Sequence, residues 1–235
     1  MQLALAGGLW ASASFALAAP FEDSIAQRAL ACTACHGPQG RAAPDGYYPR
    51  LAGKPAGYLY NQLLHFRDGR RRYGLMTQLL EPLNDAYLME IAQYFSSLDV
   101  PYPAPQPTAA SPELLRRGER LVMQGDSNKK VPACTQCHGQ AMTGVAPNVP
   151  GLLGLPRDYL NAQLGAWKSG QRRAHAPDCM RGVVARLDDG DINAAASWLA
   201  AQPLPISSKP ASKPPALAPG VVVAECGSAP MLRQP

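Results

Sequence analysis

Two short motifs in the chain place two thiols and an imidazole at a fixed spacing. Both read Cys-x-x-Cys-His, one formed by Cys32, Cys35 and His36 and the other by Cys134, Cys137 and His138. Thiols three positions apart can add to the two vinyl groups on one porphyrin edge, and the histidine that follows can bind the iron, so this is the attachment signature of c-type haem. The alternatives are a zinc site built from four thiolates, or two redox dithiols. A histidine after each pair and an offset of 102 positions from the first motif to the second favour two covalently bound haem c groups.

The two motifs belong to a longer repeat. Residues of the same type recur 101 positions later in the segment that follows each motif. The matched pairs are Pro49 and Pro150, Gly53 and Gly154, Tyr58 and Tyr159, Gln62 and Gln163, and Gly69 and Gly170. The chain is therefore interpreted as a tandem duplication.

One methionine occupies the same place in each copy of the repeat. Met76 lies 40 residues after His36, and Met180 lies 42 residues after His138. Methionine is often no more than core filler, but its thioether is also an axial ligand of haem iron. Because the two positions are paired, we predict that Met76 and Met180 are the second axial ligands. His175, five residues before Met180, is a weaker rival.

Hydrophobic periodicity predicts the helices that must position these residues. Apolar residues recur at i, i+3 and i+4 in five segments, which are 56–68, 85–98, 112–124, 158–168 and 189–201. Ser111 and Pro112 suit the N-cap and the first position of the third helix. No run of alternating strands is present, so an all-α fold is predicted. His65 has no partner in the repeat and is predicted to be a solvated helix residue.

The organisation predicted along the chain has five parts. They are a signal peptide at 1–18, a first small all-helical domain at 19–98, a Pro-rich linker at 99–111, a second small all-helical domain at 112–202 and a Pro/Ala-rich tail at 203–235. The first part is uncharged and ends in Ala-Leu-Ala, as a cleaved signal does, which predicts the periplasm. The alternative for this part is a helix of the mature fold.

Composition excludes several classes of protein. With 46% apolar residues, the chain of 235 residues is globular rather than disordered. The net charge of +5 is spread without a basic block or interleaved aromatic residues, which argues against a nucleic-acid partner and predicts weak salt dependence of docking. No spanning segment is predicted in the mature chain, while peripheral association with a membrane stays open.

With these motifs, residues 21–202 resemble the di-haem cytochromes c4. In each half, the Cys-x-x-Cys-His motif is followed by Pro-x-Leu-x-Gly, Tyr-x-x-x-Gln-Leu, Gly-x-Arg and the methionine. The resemblance implies two tandem class I cytochrome c domains related by a pseudo-twofold axis, each wrapped around one covalent haem, with the propionate edges facing each other. It also implies that the carbonyls of Pro49 and Pro150 accept hydrogen bonds from the rings of His36 and His138.

The Gly-x-Arg segments end at Arg71 and Arg172, where the family places an arginine near the propionates. A guanidinium pairs bidentately with a carboxylate, so these two residues are the candidates for holding propionates. The alternative is that both are solvated surface arginines, since Arg70, Arg72 and Arg173 lie next to them and could equally be the partners.

Two iron sites with histidine and methionine ligands would leave no open position, which favours one-electron transfer over catalysis. The predicted role is that of a carrier between a quinol-oxidising complex of the cytochrome bc1 type and a terminal oxidase such as a cbb3-type enzyme. One alternative is the di-haem subunit of a flavocytochrome sulfide dehydrogenase. Another is a di-haem thiosulfate dehydrogenase or peroxidase, an idea that only Cys179 beside Met180 supports.

Two cysteines remain outside the motifs. In an oxidising compartment such a pair tends to bridge, so we predict a Cys179–Cys226 disulfide that folds the tail back beside Met180. The alternatives are two free thiols, or a Cys179 thiolate that displaces Met180 from the iron.

Overall fold

The computed structural model describes residues 22–42, 46–102, 104–105, 107–205, 209–216 and 225–231. The predicted signal peptide, 1–18, lies outside the described residues. Ten α-helices, one short 3-10 helix at Pro38–Gly40 and one pair of strands are present in the described part of the chain. The helices are α1 Ile25–Arg28, α2 Leu30–His36, α3 Ala56–Arg67, α4 Gly74–Leu80, α5 Asp85–Ser97, α6 Pro112–Gln124, α7 Thr135–His138, α8 Arg157–Lys168, α9 Cys179–Val184 and α10 Asp189–Ala201. The strands are β1 Gly144–Val145 and β2 Val149–Pro150.

The first unit, α1 to α5, is built around the packing of α3 against α5. The Asn84 side chain caps α5 by accepting a hydrogen bond from the backbone N–H of Tyr87 at 2.9 Å. The apolar face of α5 buries Leu88 and Phe95 against Leu59 of α3. The short helices α2 and α4 attach to this core and carry the residues predicted to bind the first haem.

The second unit, α6 to α10, has its closest helix pair in α6 and α10. Ser111 caps α6 and Pro112 is its first residue, as predicted. Asp188 and Asp191 form a reciprocal capping box at the start of α10. The helices cross at Gly118, where a Cβ atom would lie 2.1 Å from the carbonyl oxygen of Ala194.

The five helices predicted from periodicity are confirmed to within one residue at each end. The structure adds five short helices and an antiparallel pair of two-residue strands, β1 and β2, that periodicity did not predict. In the described part of the chain, no helix is long and apolar enough to cross a membrane.

The two units meet along a seam formed by the turns that follow α3 and α8. Arg71 and Arg172 form an isolated antiparallel bridge. The backbone N–H of Arg72 donates to the carbonyl of Gln171 at 3.1 Å, and that of Arg173 donates to Arg70 at 2.7 Å. The repeat therefore places equivalent turns of both units face to face.

The tail beyond α10 returns to both units. Ala211 exchanges backbone hydrogen bonds with Gly144 and Ala146, at 2.9 and 2.8 Å. Cys226 forms a disulfide with Cys179 at the start of α9, which confirms the predicted bridge. Part of the tail's apolar stretch, 221–224, lies outside the described residues.

Candidate haem sites

The first attachment motif lies on α2. Because Cys32 and Cys35 are three residues apart on a helix, they share one face, and His36 follows at its C-terminal end. The His36 ring is buried, and its Nδ1 atom lies 2.8 Å from the carbonyl oxygen of Pro49, to which it donates as a neutral ring. This hydrogen bond leaves Nε2 as the nitrogen available to a metal.

The second motif repeats this geometry around α7. The Nδ1 atom of His138 lies 2.7 Å from the carbonyl oxygen of Pro150. Burial lowers the pKa of His138, as it does that of His36, and this favours the neutral imidazole that binds iron. Burial also raises the pKa of the Cys134 thiol to about 12.

The described residues do not form the four-thiolate zinc site considered from the sequence. Nowhere in that part of the chain do three His, Cys, Asp or Glu side chains come together as a metal-binding group. Each cysteine pair instead lies beside its own buried histidine, which fits two separate haem attachments.

Met76 and Met180 lie on the corresponding short helices α4 and α9. Met76 packs against the core of the first unit. Met180 packs against the cluster of the second unit that contains Val184 and Leu187. Cys179 is bonded to Cys226, so the alternative in which a Cys179 thiolate displaces Met180 from the iron is wrong. Iron ligation by the two methionines stays a prediction.

Arg71 and Arg172 make a symmetric set of hydrogen bonds across the seam. Arg71 donates to Gln62 of its own unit at 3.1 Å and to Gln163 of the other unit at 2.6 Å. Arg172 donates to Gln163 at 3.0 Å and to Gln62 at 2.9 Å. Arg71 also donates to the hydroxyl of Tyr159 at 3.0 Å. The arrangement follows the pseudo-twofold relation of the repeat.

The two guanidinium groups are buried, so the alternative of solvated surface arginines is wrong. Arg71 is 8% exposed and Arg172 is 4% exposed. Burial, followed by the charge of Arg71, lowers the pKa of Arg172 to about 10. Among the described residues, no carboxylate lies within 4.0 Å of either group. Two adjacent buried cations without an anion are costly, and the propionates of a haem would supply the missing carboxylates.

Lys54 is a third buried cation at the seam, and sequence reasoning missed it. Its Nζ atom donates to the carbonyl of Gly151 in the other unit at 3.1 Å. Burial lowers its pKa to about 8. The buried cations together fit a group that carries carboxylates.

Two histidines also meet at the seam. His65 is 3% exposed, so its predicted solvation is wrong. Its ring centroid lies 4.8 Å from that of His175 in the other unit. This contact assigns His175 to the seam. The sequence signal that could have revealed the seam is the recurrence of Tyr58 and Gln62, which both copies carry.

Comparison with known proteins agrees with this geometry. No protein-family model matches the chain. The thiosulfate dehydrogenase electron acceptor of Thiomonas intermedia (strain K12) is 42% identical over 196 residues, which are 83% of this chain and 86% of that protein. Cytochrome c4 of Thiocapsa roseopersicina is 37% identical over 172 residues, which are 72% of this chain and 85% of that protein.

A solved structure shares the fold. The crystal structure of reduced recombinant cytochrome c4 from Pseudomonas stutzeri matches with a TM-score of 0.63 and 34% identity, over 75% of this chain and 96% of that chain. This chain aligns with most of the length of these relatives. Proteins of this family bind two haem c groups. The chain belongs to the cytochrome c4 family, whose members are all-α electron-transfer proteins of two tandem class I cytochrome c domains and not enzymes.

Proposed function

We propose that the protein is a periplasmic carrier that accepts single electrons from a thiosulfate dehydrogenase and delivers them to a terminal oxidase, such as one of the cbb3 type. The observation that carries the donor assignment is the 42% identity with the Thiomonas protein, whose name describes an electron acceptor of that enzyme. The similarity extends over 83% of the chain and so includes both units.

Each unit supplies the same set of ligands in this proposal. The attaching thiols are Cys32 and Cys35 in the first unit and Cys134 and Cys137 in the second. His36 and His138 are the proximal ligands, oriented by the carbonyls of Pro49 and Pro150. Haem, when bound, supplies an iron that changes its charge by one electron.

The remaining residues shape the surroundings of the two irons. Met76 and Met180 would supply the second ligand of each iron, which would exclude substrates and raise the reduction potential. Arg71 and Arg172 would hold the propionates, which would neutralise the two arginine charges in the buried seam. A carrier built in this way needs no acid or base.

A quinol-oxidising complex of the bc1 type is the second candidate donor, because relatives that match 72% and 73% of this chain are named cytochrome c4 without reference to thiosulfate. The alternative of a catalytic di-haem protein, a thiosulfate dehydrogenase or peroxidase, is not favoured. Cys179, which suggested a catalytic haem, is part of a disulfide.

Stopped-flow spectroscopy tests the donor. The oxidised holoprotein is mixed with thiosulfate and a catalytic amount of thiosulfate dehydrogenase, and haem reduction is followed by absorbance. Reduction of both haems is expected, at a rate proportional to the enzyme concentration. A matched reaction without the enzyme serves as the control, and an equal rate in the two reactions would rule out this donor. The same assay with a bc1-type complex and quinol tests the second candidate.

A further inference from the structure

A groove at the seam is lined by three arginines from both units. Arg70 follows α3 in the first unit, while Arg173 and Arg181 belong to the second. The groove has a volume of ≈ 520 Å³, and small residues form much of its lining. These are Ala174, Ala176, Gly182 and Ala185. We call this surface the seam groove.

The backbone fixes the arginines of the seam groove relative to one another. The N–H of Arg173 donates to the carbonyl of Arg70 at 2.7 Å, so the two guanidinium groups leave from paired turns. Arg181 lies on α9, which the disulfide at Cys179 ties to the tail. Three cations from separate segments are therefore held at one place.

The charge of the seam groove is not neutralised. Within the described residues, Arg70, Arg173 and Arg181 form no ion pair within 4.0 Å. The one acid in the groove is Asp178, and its two carboxylate oxygens accept from the backbone N–H groups of Arg181, at 3.0 Å, and Ala174, at 2.7 Å.

The side chain of Arg70 also lacks a partner for one of its nitrogen atoms. Its Nε atom is buried and has no hydrogen-bond acceptor among the described residues. A buried donor without an acceptor is costly. The expectation of evenly spread charge, made from the sequence, is therefore wrong at this place.

The surroundings of the groove fit a protein better than a small ion. Arg173 and Arg181 are exposed, so an inorganic ion bound here would remain largely hydrated. Arg72, at the same turn, is also exposed, and Leu75 and Leu79 on the helix that follows are 63% and 45% exposed. Exposed apolar side chains close in sequence to unpaired arginines are typical of a protein interface.

We infer that the seam groove is the docking site for an acidic segment of the protein that exchanges electrons with this carrier. Carboxylates of that segment would pair with Arg70, Arg173 and Arg181, and the partner would cover Leu75 and Leu79. Because both units contribute to the groove, docking here would place the partner beside both domains. The assignment of the partner as the electron donor rests on the proposed function, whereas the preference for an acidic segment does not.

A hexaglutamate peptide tests this preference directly. Binding to the oxidised holoprotein is measured by calorimetry at low ionic strength. The test variant is the triple substitution Arg70→Gln, Arg173→Gln and Arg181→Gln. The control is Arg41→Gln, Arg120→Gln and Arg186→Gln, which removes the same charge from exposed arginines elsewhere. Unchanged haem spectra show that both variants are folded.

We expect the test variant to bind the peptide about tenfold more weakly than the control variant, because it loses three exposed ion pairs that each contribute modestly. Equal binding by the two variants would overturn the docking site. Displacement of the peptide by sulfate beyond what chloride achieves at the same ionic strength would also overturn it, in favour of a site for a small oxyanion.

A second measurement uses thiosulfate-driven reduction of the same variants by thiosulfate dehydrogenase. We expect the second-order rate constant of the test variant to fall about tenfold below that of the control at low salt, and the two to converge as salt rises. If the wild type is not reduced at all, the donor assignment fails while the peptide measurement still decides the docking site. If the wild type is reduced and both variants behave alike, the docking site fails and the donor assignment stands.

Discussion

Met76 and Met180 are the residues whose role depends most on their position in the repeat. A methionine withdrawn from haem iron leaves an open coordination site. We expect Met76→Ala and Met180→Ala each to remove about half of the near-infrared sulfur-to-iron band, to bind one carbon monoxide per chain and to lower the potential of that haem. Absorption spectroscopy measures the near-infrared band of the ferric protein and carbon monoxide binding by the ferrous protein. A redox titration measures the potential.

The matched control is Met89→Leu, since Met89 is buried in the core of the first unit and has no partner in the repeat. It should keep the full band and remain closed to carbon monoxide. Stoichiometric binding of carbon monoxide by the wild type would show that a methionine ligand is absent.

Single residues differ in how far the sequence predicts their surroundings. The cysteines, histidines and methionines of the candidate haem sites were predicted from their spacing, which can be counted in the sequence. Lys54 and His65 carry no such pattern. Both have the polarity of surface residues, yet both are buried and each contacts the other unit, Lys54 through Gly151 and His65 through His175. Their burial is a tertiary effect, and local sequence does not contain it.

At the scale of elements, the crossing of α6 and α10 depends on the absence of a side chain at Gly118. A Cβ atom there would lie 2.1 Å from the backbone oxygen of Ala194, so the helices must move apart. We expect Gly118→Ala to lower the free energy of unfolding of the second unit by about 1–3 kcal/mol. Chemical denaturation followed by circular dichroism measures the change.

Gly165 in α8 offers the matched control, because nothing lies within 4 Å of a Cβ atom built there. Gly165→Ala should stabilise the protein by about 0.5–1 kcal/mol, since alanine restricts the unfolded chain. Equal effects of the two substitutions would contradict the close approach of the helices.

A network of charges joins the same two helices. Asp191 is buried at the start of α10 and pairs with Arg117 of α6, at 2.7 Å, and with Lys129. Hydrogen bonds from Lys129 and Arg117 lower the pKa of Asp191, although burial opposes them. The neighbouring Asp188 has a pKa lowered to about 2, chiefly by its hydrogen bond with Lys129.

Because these carboxyls have lower pKa values in the folded protein than in the unfolded chain, their contribution to stability is present above about pH 4 and is lost as the pH falls towards 2. We expect Asp191→Asn to lower the free energy of unfolding by about 1.5–3 kcal/mol at pH 7, as for hydrogen bonds to charged groups. The difference from the wild type should shrink on acidification. Urea denaturation at several pH values measures it, and a difference independent of pH would exclude the ionic role.

Elements were predictable in proportion to their length. The helices α3, α5, α6, α8 and α10 have 12 or 13 residues and show periodicity over three turns. The helices α7 and α9 have only 4 and 6 residues, too few for a period to emerge. The pairing of β1 with β2 spans two residues in each strand and depends on the turn between them. These short elements carry or adjoin the candidate ligands, so the details of the site were the least predictable part.

At the scale of the whole molecule, the duplication explains the seam. Gln62 and Gln163 each accept from both arginines, so neither unit completes its own set of hydrogen bonds without the other. The repeat predicted that equivalent residues exist in both halves. That these residues hydrogen-bond to one another across the seam is visible only in the structure. The symmetry stops at the tail, which has no equivalent in the first unit.

The tail connects the two units a second time. Cys226 is bonded to Cys179 in the second unit. A few residues later, the backbone N–H of Ala229 donates to the Asn61 side chain of the first unit at 2.9 Å, and that side chain donates to the hydroxyl of Ser228 at 2.7 Å. The tail is thus anchored on both sides of the seam.

We expect the double substitution Cys179→Ala and Cys226→Ala to lower the free energy of unfolding by about 2–4 kcal/mol, because the bridge closes a loop with a sequence separation of 47 residues. A mild thiol reductant should produce the same loss in the wild type and none in the double variant, since the thioether bonds to haem are not disulfides.

Asn61→Ala provides a milder change that keeps the bridge but removes the anchor on the first unit. It should increase amide hydrogen exchange in residues 226–231 while leaving α9 protected. A wild type whose stability does not respond to reductant would show that the bridge does not hold the tail across the seam.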